Sequence, residues 1–170
     1  MKIYLTILVL IFSLQSWVKA DDIKDFQIEG MSVGESLLEY MSENEIELSK
    51  RNYVKEKKRY YVVGYNKNLK NYDTVDVYLK TGDKKFLIKS LAGTLFLKKK
   101  ECLIKRDEIV DDLRSLFNNA KEVSYDDVPH SYDKTGKTKQ FQTAFLLKNS
   151  DNNDHIRVEC TDWSKKLEKE

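Results

Sequence analysis

The sequence predicts an α+β domain in which antiparallel β-sheet carries two helical segments on one face, in the order α-βββ-α-βββ. Three observations predict it. Several runs alternate apolar and polar residues at period two, two serines stand three residues before glutamates as helix-start boxes, and one long stretch repeats apolar residues at helical spacing. With one proline and six glycines in 170 residues, and no tract rich in serine, glycine or proline, nothing marks a linker.

Residues 23–30 set Phe26 and Ile28 among polar neighbours, a short lead-in strand. Ser32 with Glu35 then opens a helix whose apolar face is Leu37, Leu38 and Met41, and Ser42 with Glu45 restarts it with Ile46 and Leu48. Three strand-like runs come next, at 59–65, 74–80 and 84–97. In the second, Val75, Val77 and Leu79 alternate with Asp76, Tyr78 and Lys80, which gives one wet face. Thr81, Gly82 and Asp83 suit a tight hairpin turn, and Gly93 marks a bend or bulge in the third run.

Helical spacing returns with Cys102, Ile109, Leu113, Leu116 and Phe117, against Asp107, Asp111, Arg114 and Asn118 on the opposite side. The last three strand-like runs are 121–125, 139–147 and 155–161, with a polar turn at 149–154 between the last two. A single domain over 21–170 is expected. The repeated order also admits two αβββ halves, 21–97 and 98–170, although the two share no clear residue-level similarity.

The domain is expected to start at 21 because residues 1–20 have the form of a cleavable secretory signal. Lys2 precedes an apolar and small-residue run over 3–14, and Val18 and Ala20 stand at the minus-three and minus-one positions of a cut after Ala20. The run is too short for a spanning helix, and no cysteine comes after the cut to take a lipid anchor. The expected location is therefore the periplasm or the exterior, with no transmembrane segment in the mature chain.

Lys2 and Lys19 account for the net charge of +2, so the remaining chain is neutral and its overall balance points to no polyanion. The distribution is uneven: 21–49 holds nine acids and one base, 50–106 seventeen bases and five acids, 107–170 ten bases and fourteen acids. The acidic front and basic middle either pair with each other or leave a basic surface for an anionic partner. Residues 55–72 interleave cations and aromatics, and Lys57, Lys58 and Arg59 with Lys98, Lys99 and Lys100 are the candidate anion-binding residues. Export would direct such a surface to an anionic component of the cell envelope rather than to nucleic acid.

Cys160 shares a strand face with Ile156 and Val158, and Cys102 lies on the apolar helix stripe. Both sulfurs then point to the core, and a Cys102–Cys160 disulfide is expected in an oxidising compartment. No CxxC pair supports a redox role. Gly136, Lys137 and Thr138 resemble the end of a phosphate-binding loop, but Ser131 stands where its first glycine belongs. His130 with Asp133, and Asp154 with His155, hold the right atoms for a metal or for acid–base work, without a spacing that supports either. The oxygen-rich 151–154 stretch lacks the glycine and terminal glutamate of a calcium loop. No catalytic residue, metal or cofactor is therefore expected.

The run Asp25-Phe26-Gln27-Ile28-Glu29-Gly30-Met31-Ser32-Val33-Gly34-Glu35-Ser36-Leu37-Leu38 resembles the opening of a family of exported proteins of AT-rich marine alphaproteobacteria, a resemblance that continues to Cys160-Thr161-Asp162-Trp163. It implies a compartment and no activity. The Gly-Met-Ser start before antiparallel strands is also similar to the fold shared by β-lactamase inhibitor proteins and small outer-membrane assembly lipoproteins, which implies protein binding; the lipoprotein cysteine is missing here. The expectation is an exported, non-catalytic binding or interaction domain, with an envelope protein or anionic envelope component as partner. The alternatives are a small envelope enzyme using His130, Asp133 or His155, and an anion binder acting through the basic middle.

Overall fold

A computed structural model of the chain describes residues 23, 26–51, 59–147 and 154–165. The expected signal segment, Lys57, Lys58 and most of the 149–154 turn lie outside the described residues. The described residues are α+β, mostly antiparallel sheet with two α-helices. Among them, no helix is long and apolar enough to cross a membrane.

The chain opens with a two-residue hairpin, β1 (Gln27–Ile28) and β2 (Met31–Ser32). Its turn residues Glu29 and Gly30 both have positive φ, 53° and 80°, as a tight right-twisting hairpin requires. Glu29 is held in that costly conformation by its carboxylate, which accepts the backbone N–H groups of Lys70, Asn71 and Tyr72 at 2.9, 2.6 and 3.1 Å.

The helix expected from Ser32 onward does not form there. Ser32 does donate its N–H to Glu35 Oε2 at 2.9 Å, half of the expected box. Gly34, at φ 96°, breaks the path and gives its N–H to the Ile88 carbonyl instead. The chain then makes a single 3-10 turn, Leu37–Glu39, capped by Ser36. The second box does form: Ser42 and Glu45 cap α1 (Glu43–Leu48).

Next come β3 (Lys50–Arg51), β4 (Tyr60–Tyr65), β5 (Thr74–Lys80) and β6 (Ile88–Thr94), a four-stranded antiparallel sheet in that spatial order. The β5–β6 connection, residues 81–87, is a longer loop rather than a tight hairpin. Asp83 organises it by accepting the N–H groups of Lys85 and Leu87. The register slips between Tyr78 and Leu79, not at Gly93, which pairs regularly with Val75. Gly93 is needed for space: a Cβ there would lie 2.5 Å from the Tyr72 ring.

Helix α2 (Lys99–Leu116) leads to β7 (Lys121–Pro129), β8 (Lys139–Leu146) and β9 (His155–Asp162), a second antiparallel sheet with β8 in the middle. The helix buries Val110 and Leu113 with Phe117 behind them, whereas Leu116 of the expected stripe is exposed. A register shift between Tyr125 and Val128 brings Asp126 to Arg106 of α2, Nη1 to Oδ1 at 2.6 Å. Arg114 makes a paired contact with Glu122 of β7 at 2.7 and 2.8 Å.

The apolar interior falls into two clusters. One joins Ile28, Met31, Leu37, Met41 and Ile46 to the inward face of β4–β6, and the other joins α2 to Phe145 and Ile156. Phe26 packs against both and sets its ring 6.5 Å from that of Phe117. The acidic front is partly engaged by the basic middle, through Glu29 on the 70–72 backbone and Glu45 with Lys67.

Candidate functional site: an aromatic and basic corner

The register of the second sheet builds one corner from three separate stretches of sequence. Pro129 and Lys139 pair at the mouth of the β7–β8 loop, and Lys139 also pairs with Asp162 at the end of β9. The chain leaving β9 therefore runs past the base of the 130–138 loop. The Ser164 N–H donates to Thr138 Oγ1 at 3.1 Å and fixes that crossing.

Asp133 is the loop's internal frame. Oδ1 accepts from the Thr135 hydroxyl at 2.6 Å and its N–H at 2.9 Å, and Oδ2 accepts from the Thr138 N–H and hydroxyl, both at 2.8 Å. Thr135 first and Thr138 second hold this carboxyl well below the usual carboxylate range, because each donates to the ionised form. Asp133 is buried and turned inward. With Gly136 at φ 68° closing the turn, the resemblance to a phosphate-binding loop ends at three residue types.

His130 is also buried, between two rings: Tyr132 at 5.3 Å and Trp163 at 5.1 Å between centroids. Its Nδ1 accepts the Tyr132 N–H at 3.1 Å, so the neutral ring carries its proton on Nε2. The flanking rings are open to solvent, Tyr132 80% and Trp163 47% exposed. Lys134 and Lys137 of the loop and Lys165 beyond Trp163 are exposed and form no ion pair among the described residues.

The start of α2 is fastened to the same corner. Cys102 and Cys160 form the expected disulfide, with Cα atoms 6.0 Å apart. Lys99 reaches Asp162 at 2.9 Å and lies over the Phe141 ring at 4.9 Å. Lys98 and Lys100 on either side of it are exposed.

Of the six basic residues singled out from the sequence, Lys57 and Lys58 lie outside the described residues, and Arg59 stands apart from Lys98, Lys99 and Lys100. Arg59 precedes Tyr60, which pairs with Lys80 at one end of β5, whereas the chain reaches Lys98 after Thr94, which pairs with Thr74 at the other end. Six strand steps, roughly 20 Å, separate those ends. A shallow depression at the Arg59 end is lined by Lys80, Thr81, Gly82, Asp83 and Lys89 and contains neither histidine. His155 pairs with Leu146 at the far end of β9, about 23 Å along the strand from Asp162. His130 and Asp133 share the loop, each committed to hydrogen bonds within it, and His155 does not join them. Among the described residues, no three His, Cys, Asp or Glu side chains are grouped to hold a metal ion.

No protein family, curated protein or solved structure matches the chain. The corner is therefore read from its own chemistry.

Tyr132, Trp163, Lys134 and Lys137 escaped the sequence reading. The segment His-Ser-Tyr-Asp-Lys-Thr-Gly-Lys-Thr-Lys holds three lysines and an aromatic within ten residues, and that density was the available signal.

Proposed function

We propose that this protein is an exported, non-catalytic binding domain whose ligand contacts the corner formed by the 130–139 loop and Trp163. The observation that carries the reading is the division of labour in that loop. Asp133 is buried and spent on holding the loop and His130 is buried with its Nδ1 engaged there, while the groups left outside are two flat rings and ammonium groups with no ion pair among the described residues. A surface of that kind suits binding, because it offers flat contact area and charge while its carboxylate is already committed within the loop.

The location reading rests on the form of residues 1–20 and is supported by the disulfide, since such a bond persists in oxidising compartments. A resemblance to exported proteins over residues 25–38 points the same way. The compartment of this reading is the periplasm or the exterior, with an envelope protein or an anionic envelope component as the partner class.

The test is photo-crosslinking in cells that make the protein, with a benzophenone side chain in place of Tyr132 and, as control, in place of Lys89. The reading expects a chain that begins at Asp21, lies outside the cytoplasm and carries an adduct from position 132 only. A chain that keeps Met1 in the cytoplasm overturns the location. Equal adducts, or none, at both positions overturn the assigned surface.

A further inference from the structure

Resting on that reading, we propose that the corner binds an acidic polysaccharide, a chain of sugar rings carrying carboxylate or sulfate groups. Two features of the site call for two features of the ligand. The first is flat, ring-shaped faces. Tyr132 and Trp163 stand on either side of His130 with their rings solvent-facing, and their neighbours are fixed by hydrogen bonds and by β-sheet register rather than by the rings themselves. The C–H faces of a sugar ring carry slight positive charge and stack on the electron-rich face of an aromatic ring. Each ring rests against His130, at 5.3 and 5.1 Å between centroids, and keeps surface open to a ligand.

The second feature is negative charge spaced along the ligand. Lys134 and Lys137 follow Tyr132 in the loop and Lys165 follows Trp163, all three exposed, and Lys98 and Lys100 stand at the start of the helix tied to Asp162 through Lys99. The carboxylates adjacent in sequence to the two rings are each engaged within the fold. Asp133 is turned inward on four donors, and Asp162 is neutralised by Lys99. Exposed ammonium groups on the same loop and segment as two exposed rings suit a linear polyanion, its charges meeting lysines and its rings meeting rings.

Alginate, a polyuronate, is the probe. In the chain processed after Ala20, Trp163 is the one tryptophan, so its fluorescence reports contact at the site directly. The proposal expects saturable quenching or blue shift with alginate, none with neutral dextran, and affinity that weakens about tenfold or more between low and moderately high salt. Trp163→Ala and Tyr132→Ala, tested by affinity electrophoresis, each weaken binding about fivefold or more. The Lys134→Ser/Lys137→Ser double variant weakens it about tenfold. Circular dichroism and thermal midpoint of each variant establish that the fold is intact, and Lys89→Ser, in the depression at the far end of the first sheet, leaves binding unchanged.

Binding of single-stranded DNA or of phosphatidylglycerol vesicles at this corner, with no binding of alginate, overturns the polysaccharide assignment and leaves the binding-domain reading standing. Alginate binding insensitive to the ring and lysine variants also overturns it. Failure of the binding-domain reading itself is seen separately, as the absence of any adduct from position 132 in cells.

Discussion

Asp133 and Thr138 are joined twice over: one carboxylate oxygen accepts both the N–H and the hydroxyl of Thr138 at 2.8 Å. The same hydroxyl accepts the Ser164 N–H, so a single buried side chain connects the β7–β8 loop to the segment carrying Trp163. Thr138→Val keeps the volume and removes the hydroxyl, leaving the Ser164 N–H without its partner. The expected loss is about 1–3 kcal/mol by urea denaturation, with a red shift of Trp163 fluorescence as the segment loosens. Thr138→Ser keeps the hydroxyl and should retain the fluorescence. Equal shifts in both variants would mean that the hydroxyl contact to Ser164 is not what holds the segment.

The disulfide closes a loop with a sequence separation of 58 and ties the first turn of α2 to the end of β9. In the chain-entropy picture such a loop stabilises the fold by about 4 kcal/mol. Reduction, or the Cys102→Ala/Cys160→Ala pair, should lower stability by about 2–5 kcal/mol. The corner should suffer first, because Lys99 and Asp162 sit beside the bond. Hydrogen exchange before and after reduction checks this: the amides of residues 158–164 should lose more protection than those of β5.

Strand β5 was legible because its burial is periodic. Val75, Val77 and Leu79 are all fully buried, and β5 has the bounds that their alternation suggests. The Ser42–Glu45 box was legible because the residues after it are good helix formers. The Ser32–Glu35 box misled because its side chains do interact while Gly34, at φ 96°, takes the backbone out of the helix. At the candidate site, aspartate and histidine serve equally as metal ligands and as turn-builders. Composition alone could not separate those uses, although an aspartate two residues before Thr135 is the spacing of a side-chain-closed turn. That Trp163 meets His130 was not legible at all. It results from the pairing of Lys139 with both Pro129 and Asp162, a long-range register that no local pattern encodes.

Several carboxylates are held ionised by the fold, and the sign of their effect on stability is the same. The Lys67 ammonium, then the backbone and hydroxyl of Ser42, bring Glu45 down to about 2. The Lys70 and Asn71 N–H groups lower Glu29, the Arg114 guanidinium lowers Glu122, and Thr135 and Thr138 lower Asp133. In each case the unfolded chain binds a proton more readily than the folded one. Their stabilisation is therefore complete above the ordinary carboxylate range and is lost as pH falls from about 4.5 towards 2. Urea midpoints should fall steadily through that window, and Glu45→Gln should flatten part of the slope. A midpoint that holds constant from about pH 5 to about pH 2 would contradict the hydrogen-bond assignments.

Two glycines should respond to alanine for different reasons, and a second substitution separates them. At Gly93 an added Cβ would fall 2.5 Å from Cδ1 of the half-buried Tyr72 ring, so the cost is overpacking, about 1–3 kcal/mol. At Gly30 nothing lies within 4 Å of such a Cβ, but φ is 80°, so the cost is conformational, about 1 kcal/mol. Introducing Tyr72→Ala removes the obstacle at Gly93 and leaves the dihedral at Gly30 untouched. The double-mutant cycle of Gly93→Ala with Tyr72→Ala should therefore show coupling of about 1 kcal/mol or more, and that of Gly30→Ala with Tyr72→Ala close to none. Coupling of equal size in both cycles would mean that Tyr72 acts through the Glu29-to-Tyr72 backbone contact rather than by occupying the space above Gly93.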